Sequence, residues 1–159
     1  MSVVAWRIIQ RKLAKIAFTG EGARRFGGRW NSPGRAIIYT AQSLALATLE
    51  ILVHVDSHQL LQDYVAIPVT IPQHLIVKVD DSALPNNWRA YSGAKATRTI
   101  GDAWVSQGVS PVLQVPSAVI PAECNFLLNP SHKNFGKLHI GKSRRFQFDP
   151  RLTRHGSAR

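Results

Sequence analysis

Arg29 follows two glycines and precedes Trp30, Asn31 and a Ser-Pro-Gly turn. Glycine lets the backbone approach a ligand closely or take a positive φ. An arginine held in such a loop offers a planar fork to a phosphate or a carboxylate. Tyr39 closes a short apolar run, AIIYTA, just ahead of a helical segment that carries Glu50. Around Glu50 stand Leu46, Ala47, Leu49, Ile51, Leu52 and Val53. A carboxylate buried there without partners costs on the order of several kcal/mol or takes up a proton. Two readings stay open for Glu50: a functional group in a cleft, or a residue on a narrow solvent-facing stripe paired with His54 one turn later. Tyr39 and Trp30 likewise read either as stacking groups or as core aromatics.

An arginine for phosphate, an aromatic for a planar base and a shielded carboxylate form a coherent set. They come from a loop, a strand end and a helix, which adjacent elements can gather around one cleft. The set suits a nucleotide whose glycosidic bond is broken. Loss of nicotinamide from NAD leaves a ribosyl cation, and a nearby carboxylate stabilises that charge and holds ribose hydroxyls. Nicotinamide is already a good leaving group, so this chemistry asks for neither a general acid nor a metal.

The elements that must position these groups follow from pattern. AWRIIQ reads as a first strand with Trp6, Ile8 and Ile9 available for burial. The glycine-rich segment TGEGARRFGGRWNSPGR reads as loop and turn. The strongest helix runs from about Ser43 to His54, capped by Thr40 or Ser43. It is apolar nearly all round and is expected to be buried on more than one side. DYVAIPVTIP and HLIVKVD read as strands, with Pro68 and Pro72 placing them at edges or ends. ATRTIGDAWVSQG reads as a helix closed by Gly108. SPVLQVPSAVIP, FLLNP, KLHIG and RRFQFDP are further extended runs. Strands and helices mix without a regular βαβ rhythm, which predicts an α+β fold rather than a doubly wound one.

The chain has 159 residues, 45% of them apolar and 18% charged, a globular composition for about one domain. No apolar run reaches the roughly 18 residues of a membrane span. The N-terminal charges follow a short apolar stretch, the reverse of a secretory signal, so the expected location is cytoplasmic. Cys124 is the single cysteine, and no Cys/His group has metal-ligand spacing. The net charge of +11 sits at the two ends: residues 1–35 hold eight Lys/Arg against one acid, and residues 132–159 the same. Such ends suit a polyanionic or acidic partner. The final residues, 152–159, read as a basic tail beyond a domain of residues 1–151.

GKLHIGKS, from Gly136 to Ser143, matches a phosphate-binding loop letter for letter. A functional loop of this kind opens a helix whose N-terminus meets the phosphates. Here RRFQFDPRL follows, with Phe146 and Phe148 alternating as in a strand and Pro150 close behind. The expectation is a turn between two edge strands with basic residues on the surface. TGEGARR lacks the third glycine of a dinucleotide fingerprint and has no strand–helix frame.

At WRI (Trp6 to Ile8), GGRWNSPG, IIYTAQSLALATLEILVH, TIGDAWV, VPSAVIPAECNFLLNPSH and FDPRL the sequence resembles RES-domain proteins, the toxins of RES–Xre toxin–antitoxin pairs. The resemblance spans nearly the whole chain. It implies a single α+β domain similar to the diphtheria-toxin-type ADP-ribosyltransferase fold. It implies NAD as substrate and no metal, with NAD consumed by hydrolysis or phosphorolysis, or ADP-ribose passed to a cellular protein. The family's arginine, glutamate and serine fall on Arg29, Glu50 and Ser117, with Ser131 the lesser alternative. Arg29 would grip the phosphates or ribose, Tyr39 would stack near nicotinamide, and Glu50 would be the essential carboxylate. Arg7 would line the same cleft, and Ser117 and Asn125 would orient the substrate or its loops. A helix-turn-helix, Xre-like antitoxin would block the cleft with a terminal segment, and a homodimer within that complex is compatible with the resemblance. A competing class is a non-enzymatic basic nucleic-acid binder. The charge favours it, but no helix-turn-helix, zinc module or aromatic RNP-type strand is legible, which argues against direct nucleic-acid binding.

Overall fold

The computed structural model describes residues 1–60, 62–91 and 94–153. Its frame is one eight-stranded sheet, built from β1 (Ser2–Gln10), β2 (Ile38–Ala41), β3 (Tyr64–Pro72), β4 (Ile76–Lys78), β5 (Val112–Pro116), β6 (Cys124–Leu128), β7 (His139–Ile140) and β8 (Arg144–Phe146). The order is β4-β5-β6-β2-β1-β3-β7, with β8 also on β3, and only β4 and β5 run parallel. Among the described residues four α-helices accompany it: α1 (Glu21–Phe26), α2 (Leu44–Leu52), α3 (Ser57–Leu60) and α4 (Ala94–Gln107). The mixed order without βαβ repetition is the α+β arrangement expected from the sequence.

The sheet is nearly two sheets. β1 pairs with β3 along its whole length, from Ser2↔Pro72 to Gln10↔Tyr64. It meets β2 at one register position, Trp6↔Ala41. Beyond that pair the two strands part. Arg7 reaches across the opening, where its Nη1 donates to the Tyr39 carbonyl at 3.0 Å. A split sheet exposes strand-end residues and backbone groups inside the fold, which is where a cleft forms.

Three apolar clusters fix the elements around this opening. Ala5, Ile38, Val69, Ile71, Val112 and Leu128 join strands from both halves of the sheet. Ile8, Ala41, Leu46, Ala47, Tyr64 and Phe148 hold α2 against β1 and β2. Trp30, Ile37, Trp104, Leu113, Val115 and Leu127 hold α4 and the Arg29 loop against the other half.

The local signals explain most elements and fail at particular places. Ser43 caps α2 by accepting from Leu46 N at 3.1 Å, and Gly108 at φ 59 closes α4. The glycine-rich segment is not all loop, because α1 occupies its middle. Gly20 and Gly27, both at φ 72, bracket that helix, and Glu21 binds Arg24 and Arg25 along it. The α2 helix is buried less than expected: Leu46 and Ala47 are covered, but Leu49 and Val53 are exposed. Pro68 is not at an edge. It lies inside β3 with β1 on one side, at the break between β8 and β7 on the other, where no ladder bond is asked of its nitrogen.

Leu152, in the 3-10 turn Pro150–Thr153, packs against the cluster that holds α2. The rest of the expected basic tail, from residue 154 on, lies outside the described residues. No helix among the described residues is long and apolar enough to cross a membrane.

Candidate active site

The loop between α1 and β2 is built to hold Arg29 and Tyr39. Trp30 is anchored in the core, and truncating such a tryptophan costs about 3–5 kcal/mol. Asn31 is wholly buried, and its Nδ2 donates to the carbonyls of Ala23, Ser32 and Arg35. Its Oδ1 accepts the Tyr39 hydroxyl at 2.7 Å, and that hydroxyl also accepts from Trp30 N at 3.1 Å. Burial pushes the Tyr39 phenol above its ordinary range, so it stays a neutral donor. Gly28 makes room for it: a Cβ there would stand 2.6 Å from Tyr39 Oη.

One face of α4 clamps the same loop. Thr97 Oγ1 donates to the Arg29 carbonyl, Asp102 Oδ1 accepts from Ser32 N at 2.9 Å, and Gly101 lets the helix approach. A Cβ on Gly101 would come within 1.7 Å of the Trp30 carbonyl oxygen, so no larger residue fits. Arg29 itself lies over the opening and donates from Nη1 to the Trp88 carbonyl at 2.9 Å. One bond leaves most of its donors available.

Glu50 is held from the opposite side. Ser117 Oγ donates to Glu50 Oε1 at 2.7 Å and Asn125 Nδ2 donates to the same oxygen at 2.8 Å. The Ser117 oxygen accepts in turn from Val119 N and Ile120 N, each at 3.1 Å, so its proton is directed to the carboxylate. No described residue donates to Oε2. His54 lines the same space but does not pair with Glu50.

These groups surround one cleft of about 660 Å³, within the size range of small-molecule sites. Arg7, Arg29, Tyr39, Glu50 and Asn125 all line it. Ser117 does not. It is fully buried behind Glu50 and reaches the cleft only through that carboxylate. Ser131 is exposed and lies outside the cleft. Among the described residues two buried side-chain polar atoms have no partner, Arg7 Nε and Asn125 Oδ1, one donor and one acceptor on residues that line this space. Burial also lowers Arg7 to about 10, because its charge is poorly solvated.

Sequence reasoning missed several contributors. Phe26, Tyr91 and Arg98 line the cleft and carry no local signal. The loop-holding role of Asn31 carries no local signal, whereas Thr97, Gly101 and Trp104 are spaced to share one helix face. The GKLHIGKS stretch lies apart from the cleft. No helix follows it, and Gly141 is small because a Cβ would meet Pro68 at 2.7 Å.

The RES domain profile matches residues 4–149. The chain belongs to the RES domain family. A RES relative from Photorhabdus laumondii, named Toxin Res, is 38% identical over 154 residues, covering 96% of this chain and 98% of that one. Another Toxin Res, from Yersinia enterocolitica, is 38% identical over 151 residues, covering 94% and 99%. A protein from Sphingobium named Prs ADP-ribosylating toxin is 33% identical over 159 residues, covering 97% and 99%. Among solved structures, a chain of the M. tuberculosis MbcT-MbcA toxin–antitoxin complex superposes with a TM-score of 0.77 at 20% identity, over 96% of this chain and 87% of that one. That likeness shows that the two chains share a fold.

In chemical terms, the RES site sets a carboxylate with one free oxygen opposite arginines in a walled cleft. It can bind an anionic ligand and stabilise a positive charge that develops on it. Among the described residues, no group of three or more His, Cys, Asp or Glu is placed to hold a metal ion.

Proposed function

We propose that this protein is the toxin of a toxin–antitoxin pair and that it cleaves the nicotinamide–ribose bond of NAD. The observation that supports this most is the state of Glu50: Oε1 is tied by Ser117 and Asn125, while Oε2 has no donor among the described residues and belongs to a residue of the cleft wall. Two fixed donors orient the carboxylate before any ligand arrives, so no reorganisation is needed when charge develops.

In this reading the bond between ribose C1′ and the nicotinamide nitrogen breaks, and the electron pair leaves with nicotinamide. The ring loses its positive charge and departs neutral, so no proton has to be delivered to it. The ribose carries the charge, and Glu50 Oε2 stabilises it. A nucleophile then adds to C1′ and gives up its proton. Water yields free ADP-ribose, phosphate yields its phosphorylated form, and a protein side chain yields an ADP-ribosylated protein. Arg29 and Arg7 hold the anionic diphosphate and ribose, and the ring of Tyr39 flanks the planar base. Burial of Arg7 strengthens its pull on an anion.

Transfer to a protein is the second reading, favoured by the Sphingobium relative named Prs ADP-ribosylating toxin. We assign the cognate antitoxin to an Xre-like helix-turn-helix protein that covers the cleft. NAD carrying label in its adenylate half, incubated with the protein alone and with lysate, tests both readings. Nicotinamide release without labelled protein supports degradation, and label on a protein band supports transfer. Absence of release and of label from folded, antitoxin-free protein refutes the NAD reading. A salt-sensitive nucleic-acid complex in its place would support the non-enzymatic class.

A further inference from the structure

Phe26 is 83% exposed and Tyr91 is 97% exposed. Among the described residues they are the only aromatic side chains in the set of exposed large apolar residues, and both line the candidate cleft. Chance exposure would scatter such side chains over the surface. Phe26 is the last residue of α1, and Gly27 at φ 72 turns the chain away immediately after it. Tyr91 stands just before α4. The cleft lining also includes Ala94 and Arg98 of α4, and Arg98 forms no ion pair among the described residues.

Ala47, Glu50 and Ile51 of α2, and His54 just beyond it, line the same cleft. A dinucleotide has two planar ends. Its reacting end is fixed by Glu50, with Tyr39 and Asn125 beside it. The other end is a purine, which needs flat apolar faces and no chemistry. Base–aromatic stacking supplies such binding without demanding a base-specific hydrogen bond. Binding energy from a non-reacting part of the substrate also holds the reacting part in place.

We infer that Phe26 and Tyr91 are the adenine subsite of this enzyme, with Arg98 on the adjoining phosphate. This rests on the NAD reading of the cleft, and the test separates the two. Nicotinamide mononucleotide has the reacting bond and lacks the adenylate half. Phe26→Ala and Tyr91→Ala should each raise KM for NAD about tenfold, within the range of stacking losses. They should leave kcat/KM for the mononucleotide unchanged. Phe26→Trp and Tyr91→Trp keep a planar face and should retain NAD affinity.

Binding of AMP and of ADP-ribose, followed by calorimetry, reads the subsite without turnover. Both should bind the wild type and Glu50→Gln, and both should weaken about tenfold in the alanine variants. A wild type that binds ADP-ribose but releases no nicotinamide keeps the subsite and refutes the cleavage reading. Failure of both ligands to bind the wild type overturns the subsite. So do alanine variants with unchanged NAD KM, or with equal losses on NAD and the mononucleotide. Unaltered NAD kinetics with loss of protein labelling in lysate would assign the two aromatics to a protein acceptor instead.

Discussion

Ser117 Oγ stands 2.7 Å from Glu50 Oε1 although the two residues lie on different elements, Ser117 just past the end of β5 and Glu50 in α2. The serine is out of reach of the cleft, so its contribution is to aim the carboxylate. It also ties the turn after β5 by accepting from Val119 N and Ile120 N. In the proposed reaction Ser117 is therefore a positioning residue, and Glu50 presents the group that meets the substrate.

Ser117→Ala should lower kcat for nicotinamide release by about 10- to 100-fold while KM for NAD changes less than threefold, the pattern of a lost transition-state interaction. The two freed amides, and the loss of one of the two donors to Glu50 Oε1, should also cost about 1–3 kcal/mol in urea unfolding. A rise in KM with kcat intact would place Ser117 in substrate binding instead.

Tyr39→Phe keeps the ring and removes the hydroxyl. Asn31 Oδ1 and Trp30 N then lose a shared partner in a buried setting. Unfolding free energy should fall by about 1–3 kcal/mol, and KM for NAD should rise only a few-fold, since the flat face remains. Thermal denaturation and initial rates on the same preparation check both numbers.

Arg7 gives a pH expectation. Burial lowers it from the ordinary guanidinium range to about 10, still far above neutrality. KM for NAD should show no inflection from this group between pH 6 and 9, then rise as the pH approaches 10. Stability carries the opposite sign. Because the folded value lies below the unfolded one, the unfolded chain binds the proton more tightly, so the burial cost of Arg7 is relieved as pH rises through about 10. Rates and unfolding measured from pH 6 to 10.5 should diverge in this way, and a KM inflection near neutrality would remove Arg7 from the binding site.

Lys142→Ala tests the phosphate-loop match in GKLHIGKS. Lys142 lies between β7 and β8, away from the cleft, so kcat and KM for nicotinamide release should be unchanged within error. A large loss of activity would return that stretch to consideration.

Much of this site was legible because its signals are local. A serine cap and an unbroken apolar run give α2, a glycine closes α4, and a carboxylate inside an apolar helix asks for partners. What supplies those partners was not legible, since Ser117 and Asn125 reach Glu50 from 67 and 75 residues away. The short α1 escaped notice because six residues are too few for intrinsic propensity to hold a helix. Its Glu21–arginine pairs and bracketing glycines give it its ends. The exposure of Leu49 and Val53 on α2 follows from the cleft: the helix packs on the sheet by one side and presents Glu50 and His54 to open space by another. Phe26 and Tyr91 were silent in the sequence because nothing in an aromatic residue's neighbours says whether it points inward or out.

The most direct test compares nicotinamide release from NAD by the wild type and by Glu50→Gln. Glutamine keeps the shape and can still accept from Ser117 and Asn125 through its amide oxygen, so circular dichroism and unfolding should match the wild type. The account predicts release by the wild type and a loss of at least about 100-fold in the variant, the scale of removing a preorganised electrostatic group. A folded Glu50→Gln protein that releases nicotinamide at the wild-type rate would contradict it.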